Sequence, residues 1–207
     1  MSHSYYFRDP PTIVNFEITG ISSLHNNAFV VISGSRKIRI FQLSNFAQLK
    51  YIEMPIFSNL SGIVGCEKNH CLYVADCNNN CVWKVIKSPS GTERDIETSG
   101  LTRVQFVAEN NPWICNIVNP VGLSITTAGW LVVVTRLTDN LYLYLPDGTL
   151  SVYLSLSKYE IQSPRQAVLA PDGSFIICCD ENLPKQQGIV RLLPSGDKKV
   201  SSMLLHI

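Results

Sequence analysis

Four cysteines and a histidine crowd one short stretch of the chain, CEKNHCLYVADCNNNC at residues 66–81. Thiolates and imidazoles are the side chains that hold zinc, so a metal centre is the first chemistry to weigh. The spacing, C-x4-C-x5-C-x3-C, lacks the paired short knuckles of structural zinc sites. The apolar run CLYVAD has strand character. A strand rising about 3.3 Å per residue holds Cys66 and Cys71 roughly 15 Å from Cys77 and Cys81. Four ligands at the two ends of one strand cannot meet on a single ion. Two readings stay open: a disulfide within either pair, which would imply secretion, or free thiols packed as small apolar side chains. Seven cysteines at irregular spacing favour free thiols.

Other reactive constellations are sparse. His3 and His206 lie near the ends, His25 and His70 fall in turns, and no G-x-S-x-G or P-loop pattern occurs. The polar residues gather instead in four loops, GSRK at 34–37, DCNNN at 76–80, RLTDN at 136–140 and DENLPKQQ at 180–187. The candidate binding residues are Arg36, Lys37, Asp76, Asn78, Asn79, Asn80, Arg136, Asp139, Asn140, Asp180, Glu181 and Lys185. Arg36, Lys37, Arg136 and Lys185 are offset by Asp76, Asp139, Asp180 and Glu181, so the set has no net charge to attract a polyanion. Asp76 and Asp180 also have a local use, accepting hydrogen bonds from turn amides.

The elements that must position these loops repeat. Segments opening at Gly20, Gly62, Gly122 and Gln166 each run through a short apolar strand, a turn, a strongly apolar strand, a polar loop and a third strand. Gly62 and Asp76 lie 14 residues apart, as do Gln166 and Asp180, and the same offset reaches Gly34 and Arg136. Outer fourth strands are expected at 49–54, 92–98, 150–156 and 198–205. The second strands, with FVVI at 29–32 and LVVV at 131–134, are continuously apolar, as strands covered on both faces must be. Turns at Pro146-Asp147-Gly148 and Pro171-Asp172-Gly173 close hairpins, because Gly takes positive φ and Asp bonds its own backbone. The fold expected is all-β, a propeller of about four to five four-stranded antiparallel blades in a small or incomplete ring, with blades at about 18–56, 60–98, 119–157 and 164–205. Residues 99–118 form an insertion, and 1–17 an N-terminal segment that could supply an outer strand. With 207 residues, 45% hydrophobic and 16% charged, the chain has the composition of extensive burial. Net charge +1 gives no footprint for nucleic acid or membrane.

LYVADCNNNCVWKV, residues 72–85, resembles the NHL repeat, in which a strand ending in valine-alanine-aspartate precedes an asparagine-bearing turn. The likeness covers residues 18–205 loosely, and degenerates where Gly34 and Arg136 stand in place of Asp76. The tryptophan-aspartate endings of a rival propeller repeat are absent. The resemblance implies a ring that usually closes with six blades, against four units here. Either four close on themselves, or further sequence, a partner or self-association completes the ring. It also implies three kinds of function. The first expected is a non-enzymatic module whose loop face binds a protein or peptide, with no cofactor. The second is a lactonase-like hydrolase holding calcium in the central channel. The identified first strands, GISSL, GIVGC, GLSIT and QAVLA, offer that ion no Asp, Glu or His. The third is binding of single-stranded RNA. The opening residues lack a basic head followed by an apolar core, so a cytoplasmic location is expected, or secretion if the N-terminus is truncated.

Overall fold

The computed structural model describes residues 17–55, 57–87, 106–108, 111–180 and 188–201. Four sheets follow one another along the chain. The first holds β1 (Ile18–Leu24), β2 (Asn27–Ile32), β3 (Lys37–Gln42) and β4 (Gln48–Glu53). The second holds β5 (Leu60–Cys66), β6 (Cys71–Asp76), β7 (Cys81–Lys87) and β8 (Phe106–Ala108). The third holds β9 (Pro120–Ile125), β10 (Leu131–Thr135), β11 (Asn140–Tyr144) and β12 (Leu150–Ser155). The fourth holds β13 (Pro164–Leu169), β14 (Phe175–Cys179), β15 (Gly188–Leu192) and β16 (Lys198–Ser201). Each sheet is an antiparallel meander whose strand order is the chain order. A 3-10 turn, Leu156–Tyr159, joins the third sheet to the fourth.

Burial follows strand position. Every residue of β6 and of β10 is buried, because both faces of these strands meet a neighbouring sheet. β12 sits at the rim and has no fully buried residue. Three separate cores lie between the sheets. Leu24, Phe29 and Ile38 pack with Leu72, Val74 and Trp83. Tyr73 and Val82 pack with Leu131 and Val133, and Val134 and Leu141 pack with Ile177 and Val190.

The first strands β1, β5, β9 and β13 stand side by side along the axis and approach closely. A Cβ on Gly62 would lie 2.5 Å from the Val121 carbonyl oxygen, and one on Gly122 would overlap the Arg165 carbonyl oxygen. Glycine is therefore required there for packing, not for turn geometry. Side chains bind these strands to their neighbours' backbone: Ser61 Oγ donates to Pro120 O at 2.7 Å, and Ser124 Oγ donates to Ala167 O at 2.6 Å. Gln166 replaces the glycine in the fourth unit, and its Nε2 donates back to Leu123 O at 2.7 Å. Packing runs from the first sheet to the fourth and does not return, so among the described residues the sheets form an open arc with no closed ring.

The expected turns form as read. Gly148 and Gly173 have φ of 89° and 80°, and Asp147 and Asp172 accept from the backbone N–H two residues on. The second sheet differs from expectation in its outer strand. Residues 92–98 lie outside the described residues, and the strand paired to β7 is Phe106–Ala108, inside the stretch read as an insertion. Beyond it, Trp113, Ile114 and Ile117 fill the space between the second and third sheets, tied by Ile114 N donating to Val82 O at 3.1 Å. Apolar cover over a sheet junction, more than strand alternation, dictates what this segment does. Of the N-terminal segment 1–17, only Glu17 lies among the described residues.

Candidate functional site at the loop end

One hydrogen bond recurs in every sheet and marks equivalent positions. The backbone N–H after the second strand donates to the carbonyl just before the first. The pairs are Ser33 to Glu17, Cys77 to Asn59, Arg136 to Asn119 and Asp180 to Ser163, at 2.8, 3.0, 3.3 and 3.0 Å. One residue earlier, the registers pair Ile32 with Ile18, Asp76 with Leu60, Thr135 with Pro120 and Cys179 with Pro164. Asp76 is thus equivalent to Thr135 and Cys179, not to Arg136 and Asp180 as the constant 14-residue offset implies. The cause is turn length. The first hairpin turns hold two residues in the first sheet (25–26), four in the second (67–70) and three in the third and fourth (127–129 and 171–173), where Thr126 N donates to Trp130 O and Ala170 N to Ser174 O.

Five of the candidate residues, Asp76, Asn79, Asn80, Asp139 and Asn140, serve the fold. Asp76 is fully buried and accepts from Asn59 N at 3.0 Å, Asn79 Nδ2 at 2.8 Å and Trp83 Nε1 at 3.1 Å. Burial alone would raise its pKa, but these hydrogen bonds outweigh it and hold the carboxyl below its ordinary value. Thr135 does the same work without charge, accepting from Asn140 N at 3.2 Å. Asn80 and Asp139 share another position, each with positive φ just before a third strand. Both staple the next sheet: Asn119 N donates to Asn80 Oδ1 at 2.9 Å, and Ser163 N donates to Asp139 Oδ1 at 2.7 Å. Asn140 sits between two tyrosines, donating to Tyr142 OH and accepting from Tyr153 OH.

Arg36, Lys37, Asn78, Arg136 and Asp180 are at least partly exposed. Arg36 pairs with Glu53 at 2.6 Å, and Lys37 Nζ lies 4.1 Å over the Tyr51 ring. Asn78 is exposed at its turn. Glu181 and Lys185 lie outside the described residues. Arg136 and Asp180 meet across the junction of the third and fourth sheets, Nη2 to Oδ2 at 2.7 Å, an ion pair without hydrogen-bond alignment. Arg165 completes the group, its Nε donating to Asp180 Oδ1 at 2.6 Å. Sequence reasoning missed Arg165 because it precedes the QAVLA run taken as the first strand. Its signal was present, a cation one residue before a repeat opening.

Arg165 also reaches the axis. A concave cavity of about 470 Å³ opens along the first strands, lined among others by Glu17, Thr19, Ser61, Arg165 and Gln166. Its lining residues are neutral apart from Glu17 and Arg165, and Arg165 links the cavity to Asp180 and, through it, to Arg136. At the opposite end of the arc, His25 Nδ1 lies 3.1 Å from Glu67 Oε2, and the His25 and His70 rings stack at 5.7 Å. Among the described residues no group of three His, Cys, Asp or Glu side chains converges as metal ligands would. None of the seven cysteines is in a disulfide. Cys66 and Cys71 pair across β5 and β6 at one end, with Cys77 and Cys81 at the other. Cys66, Cys71 and Cys81 are buried, whereas Cys115 and Cys178 are exposed, so burial of every thiol is not what the fold provides.

Comparison with solved structures agrees with this geometry. Hydrazine synthase from Kuenenia stuttgartiensis matches at 11% identity and TM-score 0.66, over 95% of this chain and 53% of that one. Virginiamycin B lyase from Staphylococcus aureus matches at 14% and 0.56, over 91% and 56%. A β-propeller domain from Myceliophteria thermophila matches at 12% and 0.57, over 80% and 51%. No family model matches the chain, and no curated protein does. The chain is a β-propeller protein by fold. Among the described residues it carries four blades in an open arc, and the chain spans about half the length of the solved structures it matches.

Proposed function

We propose that this chain is a non-enzymatic, NHL-like propeller module that binds a protein or peptide partner at its loop end, centred on Arg136, Asp180 and Arg165. One observation carries the reading. Two guanidiniums, 38% and 50% exposed, are held in place by a single carboxylate at the rim of a concave surface. Asp180 takes one nitrogen of each, and a guanidinium has five N–H donors in a fixed fork, so both keep donors for a carboxylate or a chain carbonyl. Pre-positioned arginine costs less side-chain entropy on binding than a free one. The NHL-like assignment draws on the Asp76 turn, where the aspartate of LYVAD binds Asn79 and Trp83.

Selection of displayed peptides on the 207-residue protein tests the reading, followed by anisotropy titration of the winners. Peptides enriched in Asp or Glu are expected, binding at least about tenfold more weakly to an Arg136→Ala, Arg165→Ala double variant and weakening with salt. Equal binding to both proteins would move the surface elsewhere. Tight binding of single-stranded RNA, falling steeply with salt, would replace the peptide reading with the nucleic-acid one. The hydrolase reading of the same fold requires calcium, and a large chelator-reversible rise in Tm on adding it would favour that reading.

A further inference from the structure

Two cysteines from distant parts of the chain meet beside β7. Val82 N donates to Ile114 O at 2.9 Å, and Ile114 N donates back to Val82 O at 3.1 Å. That exchange makes Val82 and Ile114 a hydrogen-bonded antiparallel pair. The neighbouring pair, Cys81 and Cys115, is therefore of the close, non-hydrogen-bonded kind. Such pairs stand about 4.5 Å apart at Cα, inside the roughly 4.4–6.8 Å that a disulfide spans. Val82 and Ile114 both enter the core between the second and third sheets. Strand alternation turns the next pair to the opposite face, where Cys81 shares a core with Trp83 and Val85. Beyond it Ile117 N donates to Asn80 O at 3.0 Å, and Asn116, with φ of 63°, takes up the extra residue as a bulge.

The two thiols differ in access, since Cys81 is buried and Cys115 is exposed. We propose that they are a reversible redox pair, oxidised by a small disulfide of the glutathione type to a cross-link that clamps residues 111–117 onto β7. The Cys115 thiolate attacks one sulfur of the small disulfide, whose S–S bond breaks and whose other half leaves as a thiol. The Cys81 sulfur then attacks Cys115 in this mixed disulfide and expels the second thiol. Two cysteines lose two electrons and two protons, and one small disulfide becomes two thiols. Burial first, then the Asp76 charge and the Cys115 sulfur, push the Cys81 thiol up to about 12. That last influence requires the two sulfurs to be neighbours, and the high value makes Cys115 the entering thiol. Nearness compensates for the small thiolate fraction of Cys81 in the second step. Other pairings are less suited. Cys66 and Cys71 oppose each other in register, but both are buried, and Cys77 Sγ donates to Asn59 O at 3.2 Å.

Incubation of the 207-residue protein with oxidised glutathione, then tryptic mass mapping without reductant, tests the pair. The expected product joins the peptide of residues 104–136, whose one cysteine is Cys115, to that of residues 69–84. Tandem mass spectrometry should place the bond on Cys81 and not on Cys71 or Cys77. Cys115→Ser should abolish the link, and Cys81→Ala should stop at a lasting glutathione adduct on Cys115. If Cys81→Ala loosens the core, Cys115→Ser at its exposed position still decides the matter. The oxidised wild type should melt at least about 5 °C above the reduced protein, because the bond closes a loop between residues 34 apart (115 − 81). Dithiothreitol should reverse the rise, and Cys115→Ser should show none. A wild type that stops at the glutathione adduct, joins Cys115 to another cysteine, or dimerises through Cys115 would overturn the pairing. A Cys81–Cys115 bond that leaves Tm unchanged would overturn the clamp. None of these results depends on peptide binding at the loop end.

Discussion

Arg136 and Asp180 occupy the same position in adjacent blades and meet between them at 2.7 Å. At the junction of the third and fourth sheets the two positions come together, and opposite charge turns that proximity into an ion pair. Both side chains are partly exposed, so solvent screens the attraction, and exposed pairs contribute about 0–1 kcal/mol. A double-mutant cycle of Arg136→Ala and Asp180→Ala, read by urea unfolding, should give a coupling below about 1 kcal/mol that shrinks with salt. Peptide binding should fall far more than stability. A coupling several-fold larger would make the pair a structural clasp instead of a presented surface.

Asp76 behaves in the opposite way. Its carboxylate is buried and accepts several hydrogen bonds, so Asp76→Asn places an amide donor against Asn79 and Trp83. A loss of about 2 kcal/mol is expected, with Asp76→Ala at least as costly. The pH sign follows from the depressed pKa. The stabilisation is complete above the ordinary carboxylate value of about 4 and is lost as pH falls through the folded value. Melting curves of wild type and Asp76→Asn should therefore converge in acid.

Glycine substitutions should separate packing from backbone conformation. Gly122→Ala drives a methyl into the Arg165 carbonyl, which the adjoining strand cannot easily vacate. Overpacking of this kind costs about 1–3 kcal/mol. Gly34→Ala meets nothing within 4 Å, and its φ of 70° imposes only the roughly 1–2 kcal/mol cost of left-handed backbone. Chemical denaturation of the two variants checks the ordering. Equal losses would mean that the axial strands can spread.

Ile117 tests the plug between the second and third sheets. It is 1% exposed and belongs to the same core as Tyr73 and Leu131. Ile117→Ala should cost about 2–5 kcal/mol and alter fluorescence from Trp113, whose ring lies 4.6 Å from Tyr73. A change near zero would mean that the segment merely lies on the surface.

The thiols should react in two classes. Burial, followed by the Asp76 charge, pushes Cys81 up to about 12, and burial pushes Cys179 up to about 11. Cys115 and Cys178 are exposed. Iodoacetamide at mildly alkaline pH should therefore label Cys115 and Cys178 well before Cys81, as peptide mass mapping would show.

The blade grammar was legible because it follows from local rules. A strand covered on both faces must be apolar throughout, which marks β6 and β10 in the letters themselves. Tight turns demand Gly and Asp, which marks the hairpins around Gly148 and Gly173. The candidate loops were also visible, since their polarity comes from the same cause. What each loop residue does was not. Asn80 and Asp139 staple neighbouring blades, and Asp76 is sealed inside its own.

Only the tertiary structure decided which positions correspond. First-hairpin turns of unequal length shift the register by a residue, so counting along the chain paired Asp76 with Asp180 when its true counterpart is Cys179. It also decided that Arg165 joins Arg136 on one carboxylate, and that Ile21 stands bare where Ile63 and Leu123 are covered. Periodicity is a property of neighbours in sequence, whereas these outcomes depend on residues from different blades meeting in space, and nothing local encodes that.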